Sequence, residues 1–202
     1  MKLIIIAGMP ATGKSTLARA LSENFSFPVL EKDDIKEEMF DTVGYRDLTE
    51  KRALDVAANA ILLRCTEAIL SKGQPLIVVN NFDSNMSGRV QEMIDRTGCQ
   101  CVTVFLNGDP EVLYQRYVAR DAKRVRHLGH TFIDRYPPLE GDELGRSMTR
   151  EYFADRFEKH GMADFKLKGC RIDLNATYPE KIDVAKLISD IHKQFEGEES
   201  NA

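Results

Sequence analysis

The chain has 202 residues, 43% hydrophobic and 30% charged, which is enough apolar material for one good-sized core and gives no reason to require a second domain. Its formal net charge of −4 argues against a protein that grips duplex nucleic acid over a broad surface, while leaving room for a local basic site. Residues 1–202 are therefore expected to form one cytoplasmic domain: the apolar start is too short for a signal peptide, no window approaches a membrane span, and Cys65, Cys99, Cys101 and Cys170 lack C-x-x-C spacing, as reduced core thiols would.

The first predicted strand, residues 3–7 (LIIIA), runs into Gly8-Met9-Pro10-Ala11-Thr12-Gly13-Lys14-Ser15 and then into a helical stretch beginning at Thr16. This is G-x-x-x-x-G-K-[ST] between a buried strand and a helix, the setting in which backbone N–H groups at the helix N-terminus cradle phosphates. Gly8 and Gly13 allow backbone angles and a close approach that a Cβ would block. Lys14 is expected to reach the β/γ-phosphates and Ser15 to offer its hydroxyl to Mg²⁺, with Ala11, Thr12 and Thr16 completing the nucleotide-binding turn. The alternative is a chance match in a Gly-rich turn, and the flanking strand and helix weigh against it.

The second strand, residues 27–30, leads into Glu31-Lys32-Asp33-Asp34-Ile35-Lys36. Two adjacent carboxylates thus fall at the C-terminal edge of the sheet, where open α/β sheets bind ligands. A carboxylate there can accept the proton of an attacking hydroxyl or hold Mg²⁺ through water; the alternative is plain helix capping. A long helical reach over residues 48–71 follows, with Ala53, Val56, Ala57, Ala60, Ile61, Leu63 and Ile69 as its apolar stripe, ended by Gly73 and Pro75. The third strand, residues 75–79, is continuously apolar, as a strand covered on both faces should be. It ends in Asn80-Asn81-Phe82-Asp83, where many NTPases place a metal-holding Asp after the apolar run. Metal is therefore assigned to Ser15, the nucleotide and Asp33 or Asp34, with Asp34 the metal candidate, while Asn80, Asn81 and Asp83 are assigned to the acceptor.

After the fourth strand, residues 101–106, Asp109-Pro110-Glu111 opens a helix with Val112, Leu113 and Tyr117 toward the core. Arg116 and Arg120 share one face of that helix, and Arg124 and Arg126 follow it. From Arg116 to Arg135 there are six basic and two acidic side chains, a local excess able to neutralise charge on a transferred phosphoryl group. His127 and His130 are three apart with no Cys or third His nearby, too few ligands for zinc, and are assigned to acceptor contact or lid ordering. Residues 121–168 read as a lid plus an insertion with one helix inside 149–160. A fifth strand at 171–174, an amphipathic helix at 183–195 and a polar, disordered tail at 196–202 complete the chain. Strands alternating with helices mean a parallel sheet with helices on both faces.

GMPATGKSTLARAL followed by LEKDDIK resembles the small P-loop kinases related to phage polynucleotide kinase, chloramphenicol phosphotransferase and zeta-type toxins. The resemblance runs from Leu3 to the last helix. It implies a P-loop NTPase of three α/β/α layers, nucleoside-monophosphate-kinase-like with a lid, on a five-stranded parallel sheet of order 2-3-1-4-5. It also implies transfer of the γ-phosphoryl group of ATP, with Mg²⁺, to a hydroxyl. The R-D-D-x-R element of the polynucleotide kinase branch makes Asp33 the implied general base. Lys36 stands where that element has an Arg holding an acceptor phosphate, and a lysine lacks the bidentate fork, which counts against a nucleic-acid acceptor. Arg120 and Arg124 are the implied catalytic lid pair. Asp173-Leu174-Asn175-Ala176-Thr177 resembles the turn that packs on adenine, so Ala176 and Thr177 join Arg116 as nucleotide-binding candidates. His127-Leu128-Gly129-His130 after Arg126 resembles an R-H-x-G-H element of this group. The expected partner is a small-molecule hydroxyl acceptor. The alternatives are a polynucleotide 5′-hydroxyl kinase and a nucleotide switch without transfer chemistry. For the switch, Asp41-Thr42-Val43-Gly44 matches D-x-x-G but falls too early, and no N-K-x-D guanine motif exists, which favours ATP.

Overall fold

A strand that is apolar on every side needs cover on both, and β1 (Lys2–Gly8) is such a strand, with Leu3 through Ala7 fully buried. In the computed structural model, which describes residues 1–123, 126–131, 133–142, 147–159 and 161–199, β1 is the centre of a five-stranded sheet. Its partners are β2 (Val29–Glu31), β3 (Leu76–Val79), β4 (Gln100–Asn107) and β5 (Cys170–Asn175), in the order β2-β3-β1-β4-β5. Every pairing is parallel, with Ile4 opposite Ile77 on one side and Val102 on the other.

Alternation along β1 splits the core into two layers. Leu3, Ile5 and Ala7 pack with α3 (Leu48–Leu70) and α4 (Ser84–Thr97), whereas Ile4 and Ile6 pack with α1 (Lys14–Phe25) and α7 (Val184–Glu199). The sheet is thus sandwiched, with the order and layers expected. Two smaller clusters finish the C-terminal edge. Met9 packs against Leu113 and Tyr117 of α5 (Pro110–Ala122) and Phe153 of α6 (Arg150–Glu158). Phe40 of α2 (Lys32–Thr42) packs with Tyr45 and Ile133. No helix among the described residues is long and apolar enough to cross a membrane.

Three local expectations change. On α3 the buried face is Ala58, Leu62, Leu63, Thr66 and Leu70, while Ala53, Val56, Ala60 and Ile61 of the expected stripe are exposed. The helix carries aliphatic residues on more than one face, and its leucines, with more area to remove from water, take the interior. β2 starts at Val29 rather than at residue 27, because Ser26 ends α1 in the left-handed conformation and Pro28 has no N–H for a ladder. Finally, α7 runs on to Glu199, so residues 196–199 of the expected disordered tail are helical, and the rest of that tail lies outside the described residues.

Candidate active site

The phosphate loop joins β1 to α1 under tight backbone constraint. Gly8 has φ +124°, and a Cβ there would lie 2.0 Å from the Leu106 carbonyl oxygen, so only glycine lets the loop leave beside β4. Met9 N–H closes on that same carbonyl at 3.1 Å. Ala11 and Gly13 both adopt left-handed angles, φ 61° and 87°, and for Ala11 this costs about 1 kcal/mol. Arg116 on α5 offsets that strain. Its guanidinium donates to the carbonyls of Ala11 at 3.0 Å, Ala176 at 3.2 Å and Thr177 at 2.8 Å, bracing the loop against the turn after β5. Thr12 Oγ1 donates to Met9 O at 2.8 Å. The fold thus brings residues 8–16 together with Arg116, Ala176 and Thr177, and Arg116 spends its donors on backbone.

The cations come from three elements. Lys14 Nζ curls back to the carbonyls of Gly8, at 3.1 Å, and Met9, at 2.6 Å. Burial, helped by the like charges of Arg120, Arg126 and Lys32, pushes its ammonium down to about 7 against the pull of Asp33. Arg120 and Arg126 share the Tyr117 ring as a shelf, their Cζ atoms 5.3 and 5.9 Å from its centroid. Arg120 Nε is buried with no hydrogen-bond partner among the described residues, and its guanidinium lines the cleft above the phosphate loop. A buried donor left unpaired is costly, and it belongs to a residue that lines the cleft together with the phosphate loop. Arg124, the other expected lid arginine, lies outside the described residues.

Two carboxylates line the same cleft, Glu31 and Asp33. Glu31, the last residue of β2, accepts from Ser15 Oγ at 2.7 Å, and burial raises its carboxyl above the usual value, partly opposed by that bond. Asp34 is exposed on the first turn of α2 and does not line the cleft. Among the described residues no three His, Cys, Asp or Glu side chains form a metal-holding group. The all-oxygen pair Ser15 and Glu31 fits Mg²⁺, which characteristically takes one or two protein ligands plus phosphate oxygens. Sequence reasoning passed over Glu31; the signal available was its place at the strand end that points into the sheet crevice.

Asp33 Oδ1 lies 3.4 Å from Lys32 Nζ, and Oδ2 accepts from Arg126 Nη2 at 3.2 Å. Burial works to raise this carboxyl, but Lys32, His130, Arg126 and Lys36 together hold it well below the usual carboxylate range. Arg126 is therefore the arginine that joins Asp33 to the cleft. Behind Asp33, Lys32 and Lys36 both donate to Asp55 Oδ1 of α3. Asn80 and Asn81 line the cleft at the end of β3. Asn80 is fixed, donating to Asn59 Oδ1 at 2.8 Å and accepting from Asn81 N–H at 2.7 Å. Asp83 caps α4 through Asn85 N–H at 3.0 Å and does not line the cleft.

His127 and His130 point to α2. His127 Nε2 is 3.0 Å from Asp41 Oδ1, which also accepts from Tyr136 Oη at 2.7 Å, and His130 Nε2 is 2.9 Å from Glu37 Oε1. Burial, above all, pushes His130 down to about 3. Tyr45 and Tyr136 exchange two backbone hydrogen bonds at 2.8 Å. Gly129 passes so close to Phe40 that a Cβ would lie 2.1 Å from Cδ2. These contacts clamp residues 126–131 and 133–137 onto α2 and the start of α3, beside Asp33.

A five-stranded 2-3-1-4-5 sheet with a braced phosphate loop and a carboxylate at the next strand end defines a small P-loop kinase. The AAA domain family model matches residues 3–134, and the chain belongs to that family. Among solved structures it is similar to a provisionally assigned kinase from Chloroflexus aurantiacus J-10-fl, at 28% identity and TM-score 0.79 over 96% of this chain and 97% of that one. A gluconokinase from Sinorhizobium meliloti 1021 follows at 15% identity and TM-score 0.53, over 94% and 89% of the two chains. A shikimate kinase from Aquifex aeolicus VF5 shares the fold at 13% identity and TM-score 0.52 over 98% of each chain. No curated protein matches the sequence.

Proposed function

We propose that this chain is an ATP-dependent kinase that transfers the γ-phosphoryl group to a hydroxyl of a small-molecule acceptor, with Asp33 taking the acceptor proton. The observation that carries this reading is one cleft lined by Lys14, Arg120, Arg126 and Asp33: cations for a polyphosphate together with an ionised carboxylate. The acceptor oxygen forms its bond to the γ-phosphorus as the bond to the bridging oxygen breaks, and that electron pair leaves on ADP. The hydroxyl proton passes to Asp33. Because Asp33 is so weak a base, its first task is to orient the hydroxyl; it takes the proton late, when the new bond has made that oxygen acidic, which suits a loose transition state. Lys14 and Arg120 neutralise charge spread over the transferred group. Ser15 and Glu31 would hold Mg²⁺, which neutralises the β- and γ-oxygens.

The small-molecule part rests on the docking of residues 126–131 on α2 beside Asp33 and on Lys36, which is engaged by Asp55 where an acceptor phosphate would need it. The fold is also that of gluconokinase and shikimate kinase, enzymes named for small molecules. Asp33→Asn tests the reading. With a productive acceptor, kcat should fall at least about 100-fold, while the Kd for ATP changes by less than about threefold. Loss of ATP binding equal to the loss of turnover would remove Asp33 from the base role.

A further inference from the structure

Cations are distributed unevenly along the cleft. At the phosphate loop, Arg120 Nε has no partner among the described residues and Lys14 meets only carbonyls. Around Asp33 each cation has a protein partner. Lys32 Nζ lies between Asp55, at 3.0 Å, and Asp33, at 3.4 Å. Lys36 also ends on Asp55, and Lys51 Nζ donates to Thr131 O at 2.6 Å. The Lys32 and Lys36 side chains are only 9% and 12% exposed, whereas Asp55 is 38% exposed, so it is the two ammonium groups that are largely out of water and need a matching charge. What this end of the cleft presents is Asp33, an acceptor of hydroxyl protons with Arg126 already bonded to it, and the uncharged amide of Asn81, the Asn80 amide being engaged by Asn59 and Asn81 N–H. The Asn81 carboxamide makes no hydrogen bond to the described residues, leaving a donor and an acceptor at the spacing of neighbouring hydroxyls.

We infer that Asp55 is a specificity residue: by engaging Lys32 and Lys36 it fits the acceptor end for an uncharged polyhydroxylic molecule, a sugar or polyol, and against acceptors bearing phosphate or carboxylate. The inference rests on the kinase reading for where the acceptor lies. A phosphorylated acceptor would have to draw the largely buried Lys36 off Asp55, leaving that half-exposed carboxylate with Lys32 alone. Removing the Asp55 charge reverses this selectivity.

The test is calorimetric titration of inorganic phosphate into protein saturated with Mg²⁺ and the β,γ-imido analogue of ATP, which fills the phosphate loop. Wild type takes up no phosphate in the millimolar range. Asp55→Asn binds it at least about tenfold more tightly, since freed lysines regain charge-assisted bonds to an anion, and adding Lys36→Gln abolishes the gain. Equal phosphate binding by wild type and Asp55→Asn overturns the inference. Should Asp55→Asn fail to fold, seen as loss of analogue binding, the wild-type chain decides alone. Transfer to neutral sugars at least about tenfold better than to their phosphate monoesters or aldonic acids supports the assignment, and the opposite preference overturns it. No transfer to any acceptor, with the phosphate-binding contrast intact, counts against the kinase reading and leaves the charge assignment standing.

Discussion

Asp33 has a cation on each carboxylate oxygen, and Lys14 has like charges and carbonyls for neighbours, so both residues depart from their ordinary protonation. Lys14, pushed down to about 7 by burial and by Arg120, Arg126 and Lys32, releases its proton near neutrality, and a triphosphate beside it pulls that proton back. ATP binding therefore takes up a proton at any pH above about 7. The sign follows: below about 7 the ammonium is already charged and affinity is flat, while above it affinity falls, by up to about tenfold per pH unit. Calorimetry in buffers of different ionisation enthalpy between pH 6 and 9 should show this uptake, and Lys14→Ala should remove it. A flat affinity over that range in wild type would contradict it. The place of Lys14, Ser15 and Asp33 in one cleft was legible because a motif fixes their spacing and the strand end fixes their position. Glu31 and Arg126 were not. Which of three neighbouring carboxylates meets Ser15 depends on how β2 hands over to α2, and past the end of α5 helical periodicity no longer says which arginine turns inward.

At the scale of elements, the docking of residues 126–131 and 133–137 on α2 brings Arg126 to Asp33. Its fit is steric as well as polar: Gly129 lies against the fully buried Phe40 ring, and Arg126, three residues earlier, reaches Asp33. Gly129→Ala should therefore cost about 1–3 kcal/mol by overpacking. That is a fall in Tm of a few degrees, about 2–4 °C per kcal/mol for a chain of this size. Turnover should fall further than stability explains, since Arg126 is displaced with the segment. Unchanged Tm and kcat would show that the clamp does not matter. Sequence located the strands and α5 well, because continuous apolar runs and the Asp109-Pro110 start are strong local signals. It misplaced the buried face of α3, where Ala53, Val56 and Ala60 compete with the leucines on hydrophobicity alone, and only packing against β3 and α4 decides. The roles of His127 and His130 were equally open, because their partners Asp41 and Glu37 are distant in sequence.

Across the whole molecule, an acidic chain of net charge −4 still brings Lys14, Arg120 and Arg126 into one cleft, with Lys32 and Lys36 behind Asp33. Field lines in such a cleft favour a compact anion such as a nucleotide over an extended polyanion. The sheet order was legible from β/α alternation with the family resemblance, since a central, fully apolar β1 leaves few arrangements. The acceptor was not legible, because the R-D-D-x-R position held by Lys36 and the R-H-x-G-H element at 126–130 name no acceptor chemistry, and the side chains around Asp33 come from α2, α3 and residues 126–131, brought together only by the fold. The central claim is best tested by following the γ-phosphate of labelled ATP with Mg²⁺ and a panel of sugars, nucleosides, aminoglycosides, chloramphenicol and a 5′-hydroxyl oligonucleotide, with Asp33→Asn as control. The account predicts label on a small hydroxylic acceptor with wild type and none with Asp33→Asn. Label only on the oligonucleotide, or only as free phosphate with both proteins, would contradict it.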